Sequence, residues 1–190
     1  SVSMLMRIAT VNKKLADSMD QMKSQQARLC GAAAAGGQAN GKARAFWMRE
    51  SAKRGDLVSQ IRVRAAEATA PIPHAEVEDF IRRAIVSGDP AAIMEIATLL
   101  PMMKQPWPDP QIAPAMKGDL AAHAWIIAAC RAGMDCKRGS RVMTNACVRA
   151  MSCQYENYMV FLATDGMSAE HLPQIERLVA IVERVMLNPK

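Results

Sequence analysis

Cysteine is the residue type best placed to do chemistry in this chain, and four of the five cysteines stand in two matching runs. AACRAGMDC ends at Cys136 and NACVRAMSC ends at Cys153. In each, an Ala-Cys is followed by five residues and a second Cys, giving the pairs Cys130 with Cys136 and Cys147 with Cys153. A structural zinc site uses closer cysteines, about two to four residues apart, because one tight turn must aim both sulfurs at the ion. The gaps here are longer and the nearest histidine, His123, lies a helix away, so no metal or other cofactor is expected; four sulfurs keep zinc as an alternative. Thiol–disulfide catalysis uses Cys-x-x-Cys, a spacing absent from these pairs. Covalent cross-linking fits best. Cys30 is left over, and reads as a buried apolar thiol or one exposed beside a Gly-rich segment rather than as a nucleophile.

Other reactive constellations are sparse. His74, His123 and His171 lie far apart in sequence. No phosphate-cradling glycine loop is present. Glu76, Glu78 and Asp79 fall in the first turn of a helix after Pro73, where the helix dipole accounts for them. Serine or cysteine triads assemble in space rather than in sequence, yet no residue pattern here favours one.

The elements that must position the cysteines are helices. Half the residues are hydrophobic, only 4% are aromatic, and Met is abundant at 15. Ala and Met favour helices, and Met fills irregular gaps between them. Met4, Ile8, Val11, Leu15, Met19, Met22 and Leu29 recur in steps that make one stripe of a long amphipathic helix over 1–30. This stripe could pair two copies into a homodimer through residues 4–29. GAAAAGGQANG at 31–41 is a linker or loop, and residues 42–190 form a helical domain. No apolar run approaches the ~20 residues of a membrane span, and residues 1–12 carry no signal-peptide pattern.

Gly-Asp recurs at 55–56, 88–89 and 118–119, a period of 30 to 33 residues. Gly closes a helix in the left-handed conformation, and Asp caps the next one. Pro90 then takes a first helical position, which suits proline. Three such corners describe antiparallel helical hairpins. WMRESAKRGDLVSQIRVRAAEA resembles a Sel1-like repeat, a relative of the tetratricopeptide repeats, of the pattern W-x-x-x-A-A-x-x-G-D-x-x-A-x-x-x-L-G. Trp47, Ala52, Gly55 and Asp56 match it, and Ala92 and Ala122 supply the later Ala in the other copies. The closing Leu-Gly is missing and the period is short. The resemblance spans residues 42–153 and implies a right-handed array of hairpins.

PMMKQPWPDPQIAP at 101–114 holds half of the ten prolines, so an extended, non-helical loop is expected. Trp107 anchors such a loop or joins Met102 and Met103 in recognition. Further on, Tyr155, Tyr158, Met159 and Leu162 share one face of a short helix ending at Gly166. Ser168 caps a last helix, with Pro173 in its first turn and a stripe from Leu172 to Met186.

Cysteine connectivity follows from these helices. Asp135 would cap a helix starting near Cys136. With 138–150 helical, Cys136 and Cys147 lie about 16 Å apart along the axis. Disulfide Cα atoms must approach within about 7 Å, which excludes that pair and the nested pairing. Cys130 and Cys147 would sit at opposite ends of antiparallel helices. Cys130–Cys136 and Cys147–Cys153 are left. The stapled corner also resembles the cysteine-rich Sel1-like proteins that some bacteria export, which implies a periplasmic or secreted location.

The expected fold is therefore all-α: a short array of antiparallel helical hairpins with a long N-terminal helix and disulfide-stapled C-terminal corners. The expected function is protein–protein binding by an exported bacterial scaffold or adaptor without catalytic activity, through the concave face such arrays offer. Arg62, Arg64, Met102, Met103, Trp107 and His123 are the candidate contacts. Three alternatives stay open: a secreted effector or its neutralising partner, a cell-envelope hydrolase with His123 facing a carboxylate, and a nucleic-acid binder. The net charge of +6 leans toward acidic partners. Interleaved carboxylates, scarce aromatics and disulfides argue against nucleic acid.

Overall fold

In a computed structural model of the chain, the described residues are 13, 16, 17, 20, 41–103, 107–150 and 154–187. The secondary-structure elements among them are helical: α1 (Gly41–Lys53), α2 (Leu57–Ala66), α3 (His74–Ser87), α4 (Pro90–Leu99), α5 (Gly118–Arg131), α6 (Arg141–Ala150), α7 (Tyr158–Phe161) and α8 (Leu172–Leu187). The all-α expectation holds. The chain divides into two compact units, 40–134 with 170–190, and 1–39 with 135–169.

The first two Gly-Asp corners form as their chemistry dictates. Gly55 takes φ +96° and Gly88 takes φ +63°, left-handed values that a side chain would resist. The Asp56 carboxylate accepts the Ser59 N–H at 2.8 Å, and Asp89 accepts the Ala91 N–H at 2.9 Å. Each satisfies a donor that the first helical turn leaves unpaired. The third corner differs. Gly118 bends at φ +82°, but Lys117 occupies the cap position without a side-chain bond and Asp119 lies inside the first turn. Here the chain arrives from a 3₁₀ turn, Ala113–Met116, rather than from a helix, so Asp119 acts only through its charge.

In the larger unit α1 packs on α2, α2 and α3 on α4, α4 on α5, and α5 on α8. Ile61, Val77, Ile96, Leu99, Trp125, Ile127, Ile175, Val179 and Val182 are fully buried between them. Buried Ala84, Ala92, Ala121, Ala124 and Ala128 let the helices approach closely. The Trp125 indole N–H donates to the Ala115 carbonyl at 3.0 Å, tying the 3₁₀ turn to α5. Arg131, at the end of α5, reaches Glu176 at 2.8 Å and Glu183 at 3.2 Å on α8.

In the segment 135–169 the helical expectation is corrected. The Asp135 carboxylate accepts the Lys137 N–H at 3.0 Å and makes a turn, not a helix cap. Lys137 and Asn157 form an isolated antiparallel bridge, which holds 137–140 out of helix. α6 begins at Arg141, capped by Ser140, whose hydroxyl accepts the Met143 N–H at 3.2 Å. Asn157 caps α7 through Val160 N–H at 3.0 Å, and a π turn over Leu162–Gly166 ends it. Tyr155, Tyr158 and Leu162 are buried, as their shared face implies, and Phe161, outside the expected face, is buried with them. Met159 departs from that face and is 36% exposed.

Cys130 and Cys136 are joined in a disulfide, across a turn rather than between two helices, since the next helix begins only at Arg141. Gly133, at φ +110°, turns the chain between them. The second expected bridge, Cys147–Cys153, ends on a residue outside the described ones, and Cys30, the linker at 31–40 and the apolar stripe of residues 4–29 lie outside them as well. The proline-rich stretch is partly helical after all: Leu100–Met102 and Ala113–Met116 are 3₁₀ turns with Pro101 and Pro114 as their second residues. Proline's fixed φ suits a first turn, where its missing N–H leaves nothing unpaired. None of the described helices is long and apolar enough to cross a membrane.

Candidate binding site

Three chain ends of the larger unit come together: the C-termini of α2 and α4 and the N-terminus of α3. The connection 67–73 and the stretch after α4 meet there. The Ile72 N–H donates to the Met102 carbonyl at 3.0 Å, and the Ile72 side chain is buried. Trp107 is buried, its ring 4.2 Å from that of His74 at a steep angle. His74 is the first residue of α3, and its Nε2 is buried without a hydrogen-bond partner. Pro73 precedes it and gives α3 no side-chain cap, so the helix N-terminus is met instead by Glu76 in its first turn.

Arg64 closes this end from α2. Its Nε donates to Glu76 Oε1 at 2.5 Å and its Nη2 to Oε2 at 3.1 Å, a two-pronged grip on one carboxylate. That bond raises the affinity of the guanidinium for its proton. Arg62, two residues earlier, is held by Glu95 of α4, a carboxylate only 3% exposed. The two arginines thus diverge, one toward the core and one toward α3. Both charges are matched inside the fold.

Arg64, Met102 and Trp107 therefore come together with His74 at one end of the helices. Met102 is 38% exposed and Met103 partly so, whereas Trp107 is buried. His123 is half-buried on α5, a separate helix. Among the described residues, no group of three or more His, Cys, Asp or Glu stands ready to hold a metal ion. In the smaller unit, Lys137, Arg138, Glu156 and Asn157 line an open depression of about 390 Å³.

Sequence reasoning missed one exposed feature. Phe46 and Trp47 on α1 are 53% and 64% exposed and meet edge to face at 5.2 Å. Trp47 entered the sequence reading only as a match to a repeat pattern. The signal lay in the spacing: Ala45, Met48 and Ala52 form the packed stripe of α1, which leaves 46 and 47 facing outward.

Comparison with family models, with curated proteins and with solved structures finds no match to this chain.

Proposed function

We propose that this chain is a protein-binding module exported by a bacterium to the periplasm or beyond, a short array of antiparallel helical hairpins acting as scaffold or adaptor. The Cys130–Cys136 disulfide supports the compartment, since such bonds persist where the surroundings are oxidising. The two equivalent Gly-Asp corners, and helices α2, α4 and α5 each packed on the next, support the array. The observation that carries the reading is the loop end of the hairpins. Met102, 38% exposed, and Met103 follow α4 there, on a turn tied to the 67–73 connection by the Ile72 N–H···Met102 carbonyl bond. Flexible thioethers on a rigid base suit a protein partner.

The reading is tested with a photo-crosslinking residue at position 102, expressed in the native host. A single adduct of defined mass is expected. Met102→Asp with Met103→Asp should weaken capture of that partner about tenfold or more, with helical content unchanged. Adducts no different from those of an exposed control position such as Val86 would end the proposal.

A further inference from the structure

We propose that the outer face of α1 docks on the surface of an anionic phospholipid bilayer. The sequence from Gly41 to Arg54 holds five cations, Lys42, Arg44, Arg49, Lys53 and Arg54, against a single carboxylate, Glu50. Lys42, Phe46, Arg49 and Lys53 recur at steps of four, three and four residues, which places them along one side of the helix. All four are exposed, and Trp47 projects beside them with 64% of its surface open. The opposite stripe, Ala45, Met48 and Ala52, is the side that is partly covered, and α1 packs on α2.

Two large rings in water cost free energy unless something covers them. The ring of cations around them says what that is. A positively charged, aromatic helix face fits the boundary between lipid headgroups and acyl chains, where Trp and Phe bury their rings and Lys and Arg meet phosphates. Arg49 pairs with Glu67 at 2.6 Å and Lys53 with Glu50 at 2.7 Å. Both pairs are open to solvent, so they are weak and yield readily to a denser field of negative charge. Single-stranded nucleic acid fits less well. Phe46 and Trp47 meet at 76°, so they do not offer parallel plates to successive bases.

Trp47 is also its own reporter, because Trp107 and Trp125 are buried at 8% and 1% exposure. The experiment uses the whole chain with vesicles of phosphatidylglycerol and phosphatidylcholine, and with vesicles of phosphatidylcholine alone. Anionic vesicles should shift the Trp47 emission to the blue, expose it to brominated lipid quenchers, and sediment the protein in a salt-sensitive way. Phe46→Ser with Trp47→Ser should lower the partition at least about tenfold. Lys42→Gln with Arg44→Gln should lower it about fivefold for each cation removed. Both variants alter exposed positions, and circular dichroism checks that they fold. The proposal is overturned by no sedimentation with anionic vesicles, equal binding to phosphatidylcholine alone, a Phe46/Trp47 variant that binds as well as its parent, or a Trp47 already shielded from acrylamide in the free protein. An emission shift with oligothymidine but none with vesicles would overturn it in favour of nucleic acid.

Discussion

The helices of residues 41–131 with α8, and the segment 135–169, solve the same problem by different means. In the first, regular helices bury aliphatic stripes against one another, and small residues such as Ala92, Ala121 and Ala124 set close approach. In the second, α7 is a single turn, and three of the chain's eight aromatics gather there, with the Phe161 ring 5.6 Å from that of Tyr155 and 5.8 Å from that of Tyr158. Backbone bonds across the loop complete it: Arg138 N–H to Glu156 at 2.7 Å and Tyr158 N–H to Cys136 at 3.1 Å. Periodic burial is a property of a sequence window and tolerates local error. Cross-bonded turns depend on a few partners distant in sequence, so they fail residue by residue.

The sharpest way to break this comparison is to remove one ring from each region. Trp125 is 1% exposed and its indole N–H is bonded. Trp125→Ala should destabilise the helices by about 3–5 kcal/mol, by lost burial and the cavity left behind. Phe161→Ala, at 6% exposure, falls at the lower end, about 3 kcal/mol. Urea melts give the magnitudes. Hydrogen exchange locates them: after Phe161→Ala, the faster-exchanging amides should cluster in 154–166.

Ion pairing separates the regions next. Glu95, nearly fully buried on α4, is matched by Arg62, whose side chain is 27% exposed. Glu95→Ala strands a half-buried guanidinium and should cost about 2–3 kcal/mol, below the full penalty for a wholly buried partner. Arg138 spends its guanidinium on the backbone carbonyls of Gln154 and Tyr155. Arg138→Ala should cost about 1 kcal/mol, the net worth of such bonds near solvent. Equal losses in the two variants, read from urea melts, would erase the distinction.

Those pairs also mark where sequence reading stops. The Gly-Asp corners at Asp56 and Asp89 were legible because their physics is local: one residue at positive φ, one carboxylate facing an N–H two or three residues on. The Cys130–Cys136 bridge was legible for the same reason, as a short loop turning at Gly133. Arg62 and Arg64 were visible as cations, but their partners lie 33 and 12 residues away, so their commitment to Glu95 and Glu76 was not. The start of α6 was misplaced because Asp135 and Ser140 both look like caps. The Lys137–Asn157 bridge, which decides between them, joins residues twenty apart. The exposure of Phe46 and Trp47 depends on which stripe of α1 meets α2, a matter of packing that Trp47's place in a repeat pattern obscured.

The smallest effects test the corners themselves. Asp56→Ala and Asp89→Ala should each cost about 1 kcal/mol, because each leaves a helix donor unpaired. Asp119→Ala should cost only a few tenths, because it loses a dipole contact and no bond. The Ser59 hydrogen bond holds the Asp56 carboxyl below its ordinary value, against the opposing pull of burial. A carboxyl depressed in the folded state binds protons more readily when unfolded, so folding favours the ionised form. Its contribution is therefore fully present above the unfolded value of 3.8 and is lost as the pH falls below that and through the folded value. Asp56→Asn keeps an oxygen acceptor facing Ser59 but removes the titration. Its stability relative to the parent should be lowest near neutral pH, and the gap should narrow below about pH 4. A gap constant across that range would mean that the Asp56 corner works by geometry alone, and that charge contributes there no more than it does at Asp119.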